Sequence, residues 1–160
     1  PRVFRAPSWS VSQAQTPWFW EELARSGYRL DSSLFPVRTG LFGEPGALLT
    51  PHRRNGVLCV PATVLEVAGR RIPASSGAFF RLYPLWLIQW AIKRAGHRDL
   101  PRMIVLHPRE LDPEHPRLPL TGVEGLVHYA RLHSTLPKLR ALLEAERYVG
   151  ISEAYAQELT

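Results

Sequence analysis

Three side chains able to act together in a reaction lie far apart in the sequence but in equivalent places. Arg5 follows the strand-like pair Val3-Phe4, Asp31 falls in the extended stretch 28–35, and His107 closes the apolar run 103–106. In parallel α/β folds the reacting groups gather at the C-terminal ends of strands, so this shared position is the first sign of a site. Each residue also has a structural alternative. A histidine after a buried strand can be a satisfied polar cap, an aspartate before two serines suits a turn or a cap, and an arginine at a rim can form only an ion pair. Metal chemistry finds less support. The histidine pairs on offer are His52 with His97 and His128 with His133. Neither spacing matches a metal-binding pattern, which favours surface or packing roles. Cys59 is the single cysteine, so neither an intrachain disulfide nor a thiolate cluster can form.

The elements that must position these residues alternate between strand and helix. Thr16 offers a helix N-cap, Pro17 suits the first helical position and Gly27 the stop. Trp20, Leu23 and Ala24 make the apolar face of that helix, and Glu21 pairs with Arg25 at i,i+4. Residues 36–55 are loop-rich. Residues 57–67 are β-branched and read as one or two strands, with Gly69-Arg70-Arg71 turning a hairpin into Ile72. A small-residue loop at 75–78 precedes a second helix over 84–95, which has Lys93 and Arg94 in its last turn and Gly96 as its stop. The unbroken run Met103-Ile104-Val105-Leu106 suits a strand buried on both faces of a parallel sheet. A long helix starts at Ser134 or Thr135 with a stripe of Leu136, Leu139, Leu142 and Leu143. Residues 148–151 suit a last short strand, and 152–159 a helical turn or two. The alternation predicts α/β architecture.

The 160 residues make one domain's worth of chain, enough to bury about 70% of its unfolded surface. The net charge of +6 raises nucleic-acid binding as a class. The cations are scattered from Arg2 to Arg147, interleaved with acids, and never run beyond pairs such as Arg53-Arg54. Binding needs clustering, so the pattern predicts a solvated surface and no nucleic-acid partner. No apolar run reaches the roughly 20 residues of a membrane span. The lack of a signal peptide, a span and disulfides favours the cytoplasm, although the first residue is Pro1 and a targeting signal could precede it.

Several segments, read in order, resemble one family. Phe4-Arg5-Ala6-Pro7-Ser8-Trp9-Ser10 resembles the third motif of the NodB-homology polysaccharide deacetylases, carbohydrate esterase family 4. Tyr28-Arg29-Leu30-Asp31-Ser32-Ser33 resembles the segment that follows it, and Leu106-His107-Pro108-Arg109-Glu110-Leu111-Asp112-Pro113 the closing histidine motif. A proline and a glutamate after that histidine are typical of the subgroup encoded in exosortase (PEP-CTERM) exopolysaccharide loci. Phe79-Phe80-Arg81-Leu82-Tyr83-Pro84 and His128-Tyr129 also resemble that subgroup, in its trailing region of unknown function. The sequence departs from it in three places. Cys59-Val60-Pro61 stands where a glutamate usually precedes the proline, Ala74-Ser75-Ser76-Gly77 where the loop is glycine-rich, and Arg109 where tryptophan is usual.

The resemblance implies the C-terminal part of a distorted (β/α) barrel, incomplete at its N-terminus. Residues 1–35 would end the deacetylase domain and 36–160 would form the trailing region. It implies metal-assisted hydrolysis of N- or O-acetyl groups on an acetylated glycan. The divalent metal, zinc or similar, is held in the family by motifs upstream of the arginine motif. Those motifs are absent from these residues, so the chain alone is expected to bind no metal and to be inactive. The missing N-terminal part of the barrel is then its expected partner. Uncovered strand edges at 57–67 and 103–106 are expected to promote self-association. By the resemblance His107 is the general acid, Asp31 the carboxylate that orients it, and Arg5 the positioner of the base. Trp9 and Arg81 would contact the substrate, with Trp9 as a sugar-stacking platform, Trp20 in the core and Trp18 a lesser platform candidate. A different class stays open: a non-catalytic glycan-binding or scaffolding remnant of such an enzyme.

Overall fold

The computed structural model describes residues 1–38, 43–73, 75–95 and 101–160. Ala74, Gly96 and His97, named above, lie outside them. Local chemistry sets the first unit. Strand β1 (Val3–Phe4) leads through a 3-10 turn at Pro7–Trp9 to helix α1 (Phe19–Arg25) and strand β2 (Leu30–Asp31). The helix starts later than Thr16, because the Thr16 hydroxyl is spent on closing the turn with Ser12. It stops as expected. Gly27 takes φ +82°, its N–H donates to the Ala24 carbonyl, and the Tyr28 N–H donates to the Leu23 carbonyl. This paired closure needs a left-handed residue, which glycine adopts without a Cβ penalty. The inward face is Phe19, Trp20 and Leu23 rather than Ala24, and Glu21 pairs with Arg25 at 2.6 Å on the wet side.

Strands β3 (His52–Arg54) and β4 (Val57–Cys59) complete a sheet of order β1-β2-β4-β3. The first three strands are parallel and β3 is an antiparallel edge. The register aligns Phe4, Asp31 and Cys59 in one row and Val3, Leu30 and Leu58 in the next. Side chains alternate across a sheet, so the rows face opposite ways. The first row meets α1, where Phe4 and Cys59 pack with Trp20 and Leu23. The second meets Met103, Ile151, Tyr155 and Leu159. Trp20 is fully buried, and truncating such a residue to alanine costs about 3–5 kcal/mol.

Strands β5 (Val64–Val67) and β6 (Arg70–Pro73) form a separate hairpin. Ala68 and Gly69 make its two-residue turn, both at positive φ, the geometry that matches strand twist. Helices α2 (Gly77–Leu82), α3 (Leu85–Arg94), α4 (Pro108–Leu111), α5 (Gly122–Tyr129), α6 (Thr135–Ala145) and α7 (Ile151–Ala154) follow. Phe80, Ile88, Ile92 and Leu142 form a core between α2, α3 and α6.

Three expectations change. The run 103–106 makes a single parallel bridge, Val105 to Ser76, and no strand. Ile104 and Leu106 turn to the α3 core while Met103 turns to the β-sheet, so the run serves two layers and not one. Helix α6 buries Thr135, Lys138 and Leu142, whereas Leu136 and Leu143 are exposed. Residues 148–151 form no strand; Ile151 opens α7. The molecule is mixed α/β, with 40% helix and 13% strand. That strand content is spread over elements of two to four residues, and no barrel closes among the described residues.

Candidate functional site

Arg5 leaves β1 on the side of the sheet away from α1. Its guanidinium donates to the Ser32 hydroxyl at 2.6 Å and approaches the Met103 sulfur at 2.9 Å. Arg5 and Met103 border a cleft of about 580 Å³ whose lining also includes Val60, Leu106 and Tyr155. Crowding around the guanidinium lowers the Arg5 pKa from its ordinary value, and the Asp31 charge opposes the shift.

Asp31 faces the other way. Its carboxylate accepts from Trp20 Nε1 at 3.0 Å, from the Ser33 N–H at 3.1 Å, and from the Ser33 hydroxyl. Burial raises its pKa above the usual carboxylate range, although the bonds from Ser33 and Trp20 and the Arg5 charge all act to lower it. Trp20 is in turn covered by the Arg54 guanidinium, 4.4 Å from its ring, and Arg54 holds Glu44 through two hydrogen bonds. The carboxylate therefore ties β2 to α1.

His107 is exposed and stands at the N-cap of α4, with Pro108 at the first helical position, where a missing N–H costs nothing. Its N–H donates to Glu110 Oε2 at 2.9 Å and its carbonyl accepts the Glu110 N–H at 2.9 Å. Among the described residues no hydrogen bond or ion pair joins His107 to Asp31. The expected pair is not brought together, because register turns Asp31 toward α1 while His107 rides on the segment behind the opposite face. Arg5 and the segment leading to His107 do meet, through Met103 and Leu106.

The two expected substrate contacts are internal. Arg81 is 1% exposed and fully engaged, with Nε on Glu110 and its two terminal nitrogens on the carbonyls of Val127, His128 and Ala130. Trp9 is buried and stacks on Phe35 at 4.7 Å between centroids, so it offers no open face. Its placement holds Ser8 and Trp9 at φ 54° and 48°, a backbone strain of about 1–3 kcal/mol per residue. The exposed indoles are Trp18, Trp86 and Trp90.

A protein-family model described as Domain of unknown function (DUF3473) matches residues 32–156. The chain belongs to this family. No curated protein and no solved structure matches it. Of the residues above, Arg81, His107 and Glu110 fall within the DUF3473 match, while Arg5 and Asp31 precede it.

The divalent metal that the resemblance implies finds no donor cluster among the described residues of this DUF3473 chain. Among the described residues no three His, Cys, Asp or Glu side chains group to hold an ion. His52 has its Nδ1 on the Thr50 carbonyl and its Nε2 on Arg54. His128 faces the Arg109 cation at 2.7 Å, and burial and that charge lower its pKa. No helix of the described residues is long and apolar enough to cross a membrane. The residue that sequence reasoning passed over is Glu110, fully buried between Arg81 and His107. Its signal was present: a glutamate three residues after a helix start, with proline between, is N-terminal capping spacing.

Proposed function

We propose that this chain supplies the acid-bearing part of a metal-dependent polysaccharide deacetylase acting on N- or O-acetyl groups of an exopolysaccharide. The observation that carries the reading is the convergence of Arg5 and the His107 segment on one cleft, with the motifs of such enzymes in their order along the chain. The family is one associated with the C-terminal regions of polysaccharide deacetylases, which supports it. So does the cleft itself, whose lining includes the aromatic side chains of Tyr148 and Tyr155.

The proposed chemistry is hydrolysis of the acetyl C–N or C–O bond. The departing nitrogen or oxygen takes up a proton, and His107 gives it. An imidazole is the side chain most often used for such proton transfer. Arg5 lines the cleft as a fixed cation, suited to holding a carboxylate by charge-assisted bonds. Asp31 acts as a buttress beneath this wall and is not in the proton path. The metal ligands, and with them the closing strands of a barrel, come in this reading from a segment outside these 160 residues.

The test is acetate release from an acetylated chito-oligosaccharide, with zinc or cobalt added, by the chain joined to a metal-bearing deacetylase segment. Release that needs both parts supports the proposal. Oligosaccharide binding without release, under conditions where the joined protein is folded and metal-loaded, would leave the glycan-binding remnant as the function.

A further inference from the structure

Glu110 and Arg81 form a fully buried ion pair, 0% and 1% exposed at the side chain. Such a pair is a poor way to gain stability, since desolvation offsets much of the attraction. Its geometry has another use. Glu110 Oε1 takes Arg81 Nε at 3.2 Å, while Oε2 takes the His107 N–H at 2.9 Å. One carboxylate thus connects the guanidinium to the backbone of the proposed acid.

The pair is itself held from several sides. Arg81 reaches three carbonyls at the end of α5, a helix that buries none of its own residues. The Arg81 carbonyl accepts from the Lys138 ammonium at 2.6 Å and from the Ser134 hydroxyl at 3.1 Å, both from the region where α6 begins. Lys138 also binds the carbonyls of Phe80 and Tyr83. Gly77, at φ +51°, starts α2 so close that a Cβ there would lie 3.8 Å from Glu110 Oε1. Helices α2, α4, α5 and α6 therefore meet around the Arg81–Glu110 pair.

We propose that Glu110, locked by Arg81, is the positioning residue for His107, fixing the backbone N–H of the residue that directly follows Leu106 in the cleft wall. This rests on the proposed role of His107, and the experiment separates the two. Removing one partner strands a buried charge and can unfold the chain. The informative variant is therefore the double replacement Arg81→Met with Glu110→Met, which removes both charges at similar volume.

The first arm is hydrogen exchange of the His107 amide in this chain, alongside thermal unfolding. The double variant should stay folded and exchange this amide at least about tenfold faster, as expected when a buried acceptor is lost. The second arm is acetate release by the joined protein. There kcat should fall by roughly 10–10²-fold, the scale of a misplaced reacting group, with KM little changed. In a His107→Ala background the same double replacement should cost nothing further. Unchanged exchange in the folded double variant, or a loss that persists in full without His107, would overturn the proposal. If His107→Ala alone leaves the rate unchanged, the deacetylase reading falls and the exchange arm decides whether the pair holds His107.

Discussion

Asp31 carries a carboxylate with no exposed surface, and the sign of its effect on stability follows from its surroundings. Burial raises its folded pKa more than the Ser33 and Trp20 bonds and the Arg5 charge lower it. The folded state thus holds the proton more tightly than the unfolded chain. The contribution is fully present below the unfolded pKa of about 4 and is lost as pH rises through the folded value. The stability of the native sequence minus that of Asp31→Asn should therefore fall from pH 4 upward and then level. Denaturant titrations across that range would refute this if the difference grew with pH. Cys59 shares the same sheet face. Burial, and then the Asp31 charge, push its thiol up to about 12, so almost no thiolate exists at pH 8. A disulfide reagent should modify it only at the rate of unfolding; a fast burst of one thiol per chain in native buffer would be inconsistent with this placement.

At the scale of elements, the sequence disclosed what local chemistry decides. The glycine stop of α1, the hairpin near Gly69, the proline start of α3 and the threonine start of α6 are all set within a few residues; the hairpin turn falls at Ala68-Gly69, so Arg70 and Arg71, expected in the turn, belong to β6. Gly27→Ala should cost about 1–2 kcal/mol, the penalty of a left-handed alanine, read as a shift in denaturant midpoint; a neutral change would contradict the closure described for α1. What stayed hidden depends on partners distant in the chain. Nothing local tells that Lys138 turns inward and Leu136 outward, since the carbonyls of Phe80 and Arg81 in α2 and of Tyr83 just after it select the inward face of α6. Likewise the run 103–106 reads as a strand until its residues divide between two cores. Helix α5 was invisible because no apolar stripe is buried on it. The Arg81–Glu110 pair makes a sharp prediction here. Glu110→Ala should destabilise by about 3–5 kcal/mol, the usual cost of stranding one member of a buried pair, well beyond the loss from a surface pair such as Glu21–Arg25, about 0.3–0.5 kcal/mol.

At the scale of the whole molecule, the candidate site divides along the sheet. The row that contains Asp31 belongs to the α1 side, and the cleft with Arg5, Met103 and Leu106 belongs to the other. Sequence order brought out the chemical types of the site but not this division, which depends on a one-residue alternation that motif matching does not carry. The strand edges are also less hazardous than the run of apolar residues indicates. Val57 to Cys59 lie in a strand paired on both sides, and the edge β3 presents His52, Arg53 and Arg54, charges of the kind that discourage edge pairing. In the proposed reaction His107 is the acid. The most direct measurement is acetate release from an acetylated oligosaccharide by the chain joined to a metal-bearing segment, with His107 or with alanine in its place. His107→Ala should lower the rate by roughly 10²–10⁴-fold, the usual worth of a general acid, with folding unchanged; an equal rate in the two proteins would rule out the acid role.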